Sequence, residues 1–163
     1  MNRMIKNFFS TVLTLALVAV STQNLQAQGP TMGKQTLAMM EASPAGSNVV
    51  AFFKTLNENK PVTDEQLDAI ISKALIDKYG KAEIKTAVFQ DIRDNDGAIT
   101  VYMVNRTARN KYEVYARGTV EAEAWLKMEF TLDENTPYKV RGVGVEVVDA
   151  APEGVGDKPM KIG

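Results

Sequence analysis

The sequence contains no cysteine and no histidine in its 163 residues. The missing cysteine excludes disulfide bonds, thiolate metal sites, a thiol nucleophile and the lipidated cysteine of a lipoprotein. The missing histidine excludes a Ser-His catalytic pair and a histidine-ligated zinc ion. We therefore assign no catalytic residue, and we expect no metal and no cofactor.

The sequence also lacks an excess of either charge, since 19 basic and 20 acidic residues give a net charge of −1. No basic run exceeds two residues, so the electrostatic footprint of a nucleic-acid-binding protein is missing. The sequence also lacks a basic amphipathic helix that would suit a membrane surface. These patterns predict no nucleic-acid partner.

The longest apolar stretch, at residues 8–20, follows the basic residues Arg3 and Lys6. It is shorter than the roughly 20 residues that a membrane helix needs. A basic head, a short apolar run and a following stretch of small residues are typical of a secretory signal peptide. We predict one over residues 1–28, which implies export to the periplasm or the medium and no membrane span after cleavage. Three cleavage points fit about equally well, after Ser21, Ala27 and Gln28.

The rest of the chain divides by composition into three parts. Residues 29–46 are rich in Gly, Pro and small side chains, which predicts a flexible linker. Residues 47–150 carry the periodic patterns of one folded α+β domain, and residues 151–163 predict a polar C-terminal tail. Because disulfide bonds are excluded, the domain depends on its hydrophobic core for stability.

Three helices are predicted in the first half of the domain. Apolar residues recur at helical spacing over residues 48–58. A Thr-x-x-Gln capping box at residues 63–66 begins a second helix, whose single apolar stripe runs to Gly80. Residues 82–93 fail to alternate as a strand would, and their apolar side chains share one helical face, so we predict a third helix.

Four strands are predicted to follow, because β-branched and aromatic residues alternate with polar ones between short connections. The expected fold class is α+β, with the three N-terminal helices packed on one face of a four-stranded antiparallel meander. The predicted strands cover residues 98–106, 111–119, 124–132 and 139–148.

Trp125, the one tryptophan in the sequence, stands out in the third strand. Alternation directs Leu126 toward the core and places Trp125 with Lys127 on the second face of the sheet. Gly142 and Gly144 share one face of the last strand and allow a close approach there. Whether the Trp125 ring fills that space depends on a strand register that the sequence leaves open.

Three short segments form a pattern typical of one domain family. A Trp-Leu pair begins a strand at 125–126, an acidic residue and a Pro occupy the turn at 133–137, and residues 139–144 read basic-hydrophobic-basic-Gly-hydrophobic-Gly. With the helix at 49–57, this resembles a small exported domain that occurs beside β-lactamase-like serine hydrolases. That domain is grouped with the cystatin-like, or nuclear-transport-factor-two-like, superfamily.

The resemblance implies an accessory domain without hydrolysis, because the Ser-x-x-Lys nucleophile signature of such hydrolases occurs nowhere in the sequence. It implies an exported serine hydrolase or self-association as the partner. On the second face, aromatic and cationic side chains form a candidate surface for an anionic or peptide ligand. This candidate binding face consists of Trp125, Tyr115, Arg117 and Arg141. The predicted function is therefore a non-catalytic module that binds a protein partner or a small ligand.

An enzymatic alternative stays open. Glu121, Glu123 and Glu129 lie on or near the face that carries Trp125, and a buried carboxylate can act as a general base. The superfamily that the sequence resembles includes cyclase-like and isomerase-like enzymes with sheet-lined pockets. A deep cavity enclosing one of these carboxylates would favour that alternative.

Overall fold

The computed structural model describes residues 32–162, so the predicted signal peptide and the first residues of the predicted linker lie outside it. The chain is α+β, as predicted, but it contains more elements than expected. Within residues 32–162 no helix combines the length and the apolar character needed to cross a membrane. The elements are β1 (Gly33–Gln35), α1 (Leu37–Ala42), α2 (Pro44–Asn57), α3 (Asp64–Ile70), α4 (Lys73–Tyr79), α5 (Lys81–Ile84), a π-helical turn (Lys85–Gln90), α6 (Asp91–Asp96), β2 (Ile99–Ala108), β3 (Lys111–Gly118), β4 (Trp125–Leu132) and β5 (Val140–Val148).

Residues 33–46, predicted as flexible linker, form β1, α1 and the first turn of α2. Thr36 and Ser43 cap the two helices, since each side-chain oxygen accepts a hydrogen bond from an amide three residues on. Pro44 occupies the first turn of α2, where its missing N–H costs nothing. The structure differs from the linker prediction because these small residues and prolines serve as caps of short helices.

The predicted second helix is broken into α3 and α4. Its capping box is confirmed, with the side chains of Thr63 and Gln66 each bonded to the other residue's backbone. The break falls at Ile71, which forms a parallel β-bridge with Val140. Ser72 donates its amide to the Val140 carbonyl at 2.8 Å and caps α4. Pairing with β5 and burial of Ile71 therefore replace the helical turn that the apolar stripe predicted.

The third predicted helix is confirmed as helical, and it extends over residues 81–96. Its middle is a π-helical turn, in which each backbone hydrogen bond spans one residue more than in an α-helix. Gly97 ends it with φ +75°, a conformation that favours glycine. A Cβ at Gly97 would lie 2.2 Å from Thr119 Oγ1, so the turn into β2 needs glycine for both reasons.

The sheet has five strands in the order β1-β2-β3-β4-β5, each antiparallel to its neighbour. The four predicted strands are present, and β1 adds a short fifth strand along Val104, Asn105 and Arg106 of β2. The helices cover one face, which we call the helical face. Its centre holds a cluster of fully buried rings, in which Phe52 lies 5.0 Å from both Phe89 and Phe130 between ring centroids.

Candidate functional site

The register of the strands determines which side chains share the other face of the sheet, called the second face here. Directly paired residues of an antiparallel sheet lie on the same side. Met128 and Phe130 belong to the helical face, so Trp125, Lys127 and Glu129 point away from the helices. Their cross-strand partners extend the second face into the neighbouring strands. These second-face residues include Met103, Asn105, Glu113, Tyr115, Glu146, Gly144 and Gly142.

Three side chains at one end of this face form a compact group, the Trp125 cluster, consisting of Tyr102, Arg117 and Trp125. The Arg117 guanidinium carbon lies 4.2 Å from the centroid of the Trp125 ring and 5.8 Å from that of Tyr102. The two rings meet edge to face, with centroids 5.2 Å apart. A desolvated cation–π contact of this kind contributes roughly 0.5–2 kcal/mol. The cluster therefore combines one cation with two aromatic surfaces.

The cluster leaves one polar group unsatisfied. Arg117 Nε is buried and has no hydrogen-bond partner within residues 32–162. A buried N–H without a partner costs about 1–3 kcal/mol relative to a paired one. This donor is therefore suited to a carbonyl or carboxylate oxygen brought by another molecule.

Trp125 lies on the second face, as the alternation predicts, but its ring is not presented to solvent. Trp125 is 6% exposed and Met103 is 4% exposed, although neither belongs to the core cluster of the helical face. Side chains on an open sheet face would be far more accessible than this. Arg117 and Tyr102 contribute to this shielding of Trp125, since both lie against its ring.

The segment after β5, which we call the C-terminal strap (residues 149–162), returns to the sheet from this side. Strand β5 ends at Val148 opposite Trp125. The carbonyl of Gly154 then accepts a hydrogen bond of 2.9 Å from Lys34 Nζ on β1, at the opposite edge of the sheet. Four strand spacings separate these edges, about 19 Å. The strap turns at residues 152–155, where the Val155 amide donates to the Pro152 carbonyl, so the long Lys34 side chain spans part of this distance.

The strap crosses on the second face, because the helices and the main core occupy the other side. Lys34 pairs with Asn105, and Asn105 pairs with the second-face residue Glu113. The strap then returns to β2, where the Met160 amide donates to the Val101 carbonyl at 2.7 Å. Met160 and Ile162 pack against the edge of the main core. Residues 151–162, predicted as a polar tail, are thus packed on the sheet.

Beside the Trp125 cluster, charged residues form an ion triad on the second face. Lys127 Nζ lies 2.8 Å from a Glu129 carboxylate oxygen and 3.3 Å from one of Glu113. The hydrogen bond to Glu129, and a weaker contribution from Glu113, raise the pKa of Lys127 above its ordinary value. Burial, followed by the bond to Glu113, raises the pKa of the neighbouring Tyr115 hydroxyl. The two carboxylates therefore share one lysine as their counter-ion.

The candidate binding face predicted from the sequence is brought together in part. Trp125 and Arg117 are in contact, and Tyr115 follows one step along the face, opposite Lys127. Arg141 is exposed at the far end of β5, about 23 Å from Val148 along the strand. Its charged neighbour is the Asp133 carboxyl, whose pKa is raised by burial and lowered, to a lesser extent, by Arg141. Arg141 is therefore separate from the Trp125 cluster.

The glycines of β5 do not receive the Trp125 ring. Gly144 pairs with Glu129 and Gly142 pairs with Thr131, whereas Trp125 pairs with Val148. A Cβ on Gly142 would meet no heavy atom within 4 Å. The register thus answers the question that the sequence left open, and it places the ring against Arg117 and Tyr102 instead.

The remaining carboxylates are dispersed. Glu121 and Glu123 are exposed in the connection between β3 and β4, and half of the Glu129 side chain is exposed beside Lys127. Within residues 32–162 no group of three or more acidic side chains is arranged to hold a metal ion. This arrangement differs from the enclosed carboxylate that an enzymatic base needs.

Sequence reasoning missed Tyr102, Met103 and the strap. A β-bulge between Val101 and Met103 shifts the register, so Tyr102 and Met103 share one face where simple alternation places them on opposite faces. The strap carries one usable signal, the alternation of Met160 and Ile162 around an exposed Lys161. Such a short alternation in a polar segment is a weak indication by itself.

Comparisons of this chain with family models, with curated proteins and with solved structures found no match. The assignment of a function therefore rests on the geometry described above.

Proposed function

We propose that this protein is an exported, non-catalytic module that binds an extended polypeptide segment of a partner protein across the second face of its sheet. One observation carries the proposal: a segment of the chain itself already binds this end of the sheet, through the Met160 amide at Val101 and the Gly154 carbonyl at Lys34, on a sheet that carries an aromatic–cationic cluster. Extended peptides are commonly recognised by backbone hydrogen bonds at a sheet edge together with pockets for side chains. Both features are combined at this end of the sheet.

The edge of β2 supplies the backbone contacts. β1 pairs with Val104, Asn105 and Arg106, so the part of β2 from Ile99 to Met103 lies beyond it. In this part the Val101 carbonyl accepts the Met160 amide. A partner segment in the same position would place its backbone along this edge.

The Trp125 cluster supplies the side-chain contacts. The buried Nε of Arg117 offers a donor to a carbonyl or carboxylate of the partner. The rings of Trp125 and Tyr102 offer apolar area to an aliphatic side chain. We therefore propose a partner segment that combines aliphatic residues with a main-chain or acidic acceptor.

The location and the partner class rest on the sequence. The pattern of residues 1–28 supports export. The resemblance to accessory domains of the cystatin-like or nuclear-transport-factor-two-like kind supports an exported serine hydrolase, or a second copy of this chain, as the source of the segment. The alternative function, an enzyme with a carboxylate base, has less support because Glu113 and Glu129 both contact Lys127.

A peptide-display selection tests the proposal. The full chain is immobilised, and a library of random peptides is selected for binding in the presence and absence of salt. We expect selected peptides to bind the unaltered chain and to lose at least about tenfold in affinity on Arg117→Gln, since a charge-assisted bond contributes roughly 1.5–3 kcal/mol.

The matched control is Lys111→Gln. Lys111 lies on the same strand and the same face, opposite Thr131, and is exposed. The affinity of the control should stay within about twofold of the unaltered chain. An absence of enriched peptides, or peptides whose affinity is indifferent to Arg117, would contradict the proposed function.

A further inference from the structure

We infer that the C-terminal strap is a displaceable cover that occupies the peptide-binding face in cis and competes with the partner segment. This inference rests on the proposed function, since it describes how the same face is regulated. The side chains beneath the strap are well shielded, but few hydrogen bonds hold the strap in place. Trp125 and Met103 are almost fully shielded, yet two hydrogen bonds connect the strap to the sheet, at Val101 and Lys34.

The strap has the features of a segment that opens locally. Its other backbone hydrogen bonds are short-range, from Val155 to Pro152 and from Ile162 to Met160. Most of its residues are exposed, including all three at the exit from β5, at positions 149–151. Few buried contacts and few long-range hydrogen bonds are typical of regions that open far more easily than the whole domain unfolds. The exposed exit supplies the hinge.

The last three residues of the strap, 160–162, form its anchor. Met160 and Ile162 pack against the main core, and Lys161 between them is exposed. The Met160 amide bonds to the edge of β2 at Val101, and the Ile162 amide closes a tight turn onto the Met160 carbonyl. The anchor therefore occupies the backbone position that we propose for the partner segment at Val101, while its two apolar side chains pack on the main core.

Because the strap is tethered beside the binding face, it weakens the binding of a free partner segment. A short flexible tether gives an effective concentration in the millimolar range. The apparent affinity of a partner is reduced by the fraction of molecules in which the face is open. Release of the strap should accordingly strengthen partner binding and expose Trp125.

The first test uses a cleavage site placed between Ala150 and Ala151 in the full chain, cut after folding. The probe is a dye-labelled synthetic peptide of residues 151–163. We expect it to exchange into the nicked protein and to bind the uncut chain at least about tenfold more weakly, because the uncut strap is tethered. Equal binding to both forms, or binding to neither, would overturn the inference.

A second test needs no cleavage and uses Trp125, the one tryptophan of the chain, as a reporter. Met160→Asp places a charge where the anchor is half-buried, and Lys161→Asp places the same charge at an exposed neighbour. We expect acrylamide quenching of Trp125 to rise by about threefold in the first variant and to stay unchanged in the second. A Trp125 that stays equally shielded in Met160→Asp would show that the strap is not the cover.

The outcomes separate the inference from the proposed function. If the strap is released but no displayed peptide binds the opened face, the cover is real and the proposed function fails. If displayed peptides bind with dependence on Arg117 while Trp125 shielding is indifferent to Met160, the proposed function stands and the cover is wrong.

Discussion

The two faces of the sheet are covered in different ways. On the helical face, α2 and the helix over residues 81–96 place aromatic rings against β4, and Phe52 contacts Phe53, Phe89 and Phe130. The second face carries an ion triad and the Trp125 cluster, and the irregular strap is bonded to it from outside the sheet. Dispersion and apolar burial dominate the first face, whereas charge and cation–π contacts dominate the second.

This difference indicates a division of roles. A close-packed apolar layer tolerates no gaps and fixes one structure. A polar face with a thin cover tolerates the exchange of one extended segment for another. We therefore expect substitutions on the helical face to change stability, and substitutions on the second face to change binding with a smaller effect on stability.

The largest effect is expected from Phe52→Ala. Phe52 is fully buried among three other rings, and removal of a buried phenylalanine side chain costs about 3–5 kcal/mol in the free energy of unfolding. Urea unfolding followed by circular dichroism measures it. A loss below about 1 kcal/mol would contradict the central role of this ring cluster.

Trp125→Leu should lower the free energy of unfolding by less than Phe52→Ala does, about 1–2 kcal/mol, although tryptophan is larger than phenylalanine. The variant keeps an apolar residue under the strap and loses the contacts with Arg117 and Tyr102. The same urea titration compares it with Phe52→Ala. A loss equal to that of Phe52→Ala would show that the two faces contribute alike.

Lys127→Gln should lower the free energy of unfolding by about 1 kcal/mol near pH 7. The variant leaves Glu113 and Glu129 facing each other across the strands without their shared cation. The raised pKa of Lys127 means that its contribution is complete below the unfolded-state pKa and is lost only as pH rises through the higher folded-state pKa.

The difference in unfolding free energy between this variant and the unaltered chain should thus stay constant from about pH 7 to about pH 9, below the unfolded-state pKa of lysine. Urea titrations at several pH values measure this difference. The control is Lys73→Gln, which removes the surface pair with Asp77 and should change stability by less than about 0.5 kcal/mol. An unfolding free energy of Lys127→Gln equal to that of the unaltered chain near pH 7 would contradict the role of the triad.

The smallest effect is expected from Tyr112→Phe. The Tyr112 hydroxyl is buried and has no hydrogen-bond partner within residues 32–162, so its removal should be neutral or stabilise by up to about 1 kcal/mol. Tyr138→Phe is the matched comparison, because that hydroxyl is bonded to Arg109 and Thr136. Thermal unfolding should rank Tyr138→Phe as the less stable variant, and the reverse order would contradict these hydrogen-bond assignments.

Local patterns in the sequence predict much of the fold. Alternation gives strands β3 and β4 almost residue by residue, and the capping box at Thr63 marks the start of α3. These signals succeed because neighbouring residues determine them. The break at Ile71 escapes prediction because a bridge to Val140, 69 positions away along the chain, overrides a continuous helical stripe.

The candidate site is predictable to a lesser extent. Alternation places Trp125 and Arg117 on one face, which needs no long-range information. The bulge at Tyr102, the distance between Arg141 and the cluster, and the path of the strap depend on register and on the return of a distant segment. No periodic pattern encodes these contacts, because each joins segments that are far apart in sequence.

Native-state hydrogen exchange of the Met160 amide tests the central contrast most directly. This amide donates to Val101 and reports opening of the strap, whereas the amides of the central strand β3 report unfolding of the sheet. We predict that the Met160 amide exchanges at least about 100-fold faster than the slowest β3 amides, through local opening. Exchange of the Met160 amide at the same rate as those β3 amides would contradict a displaceable cover on the second face.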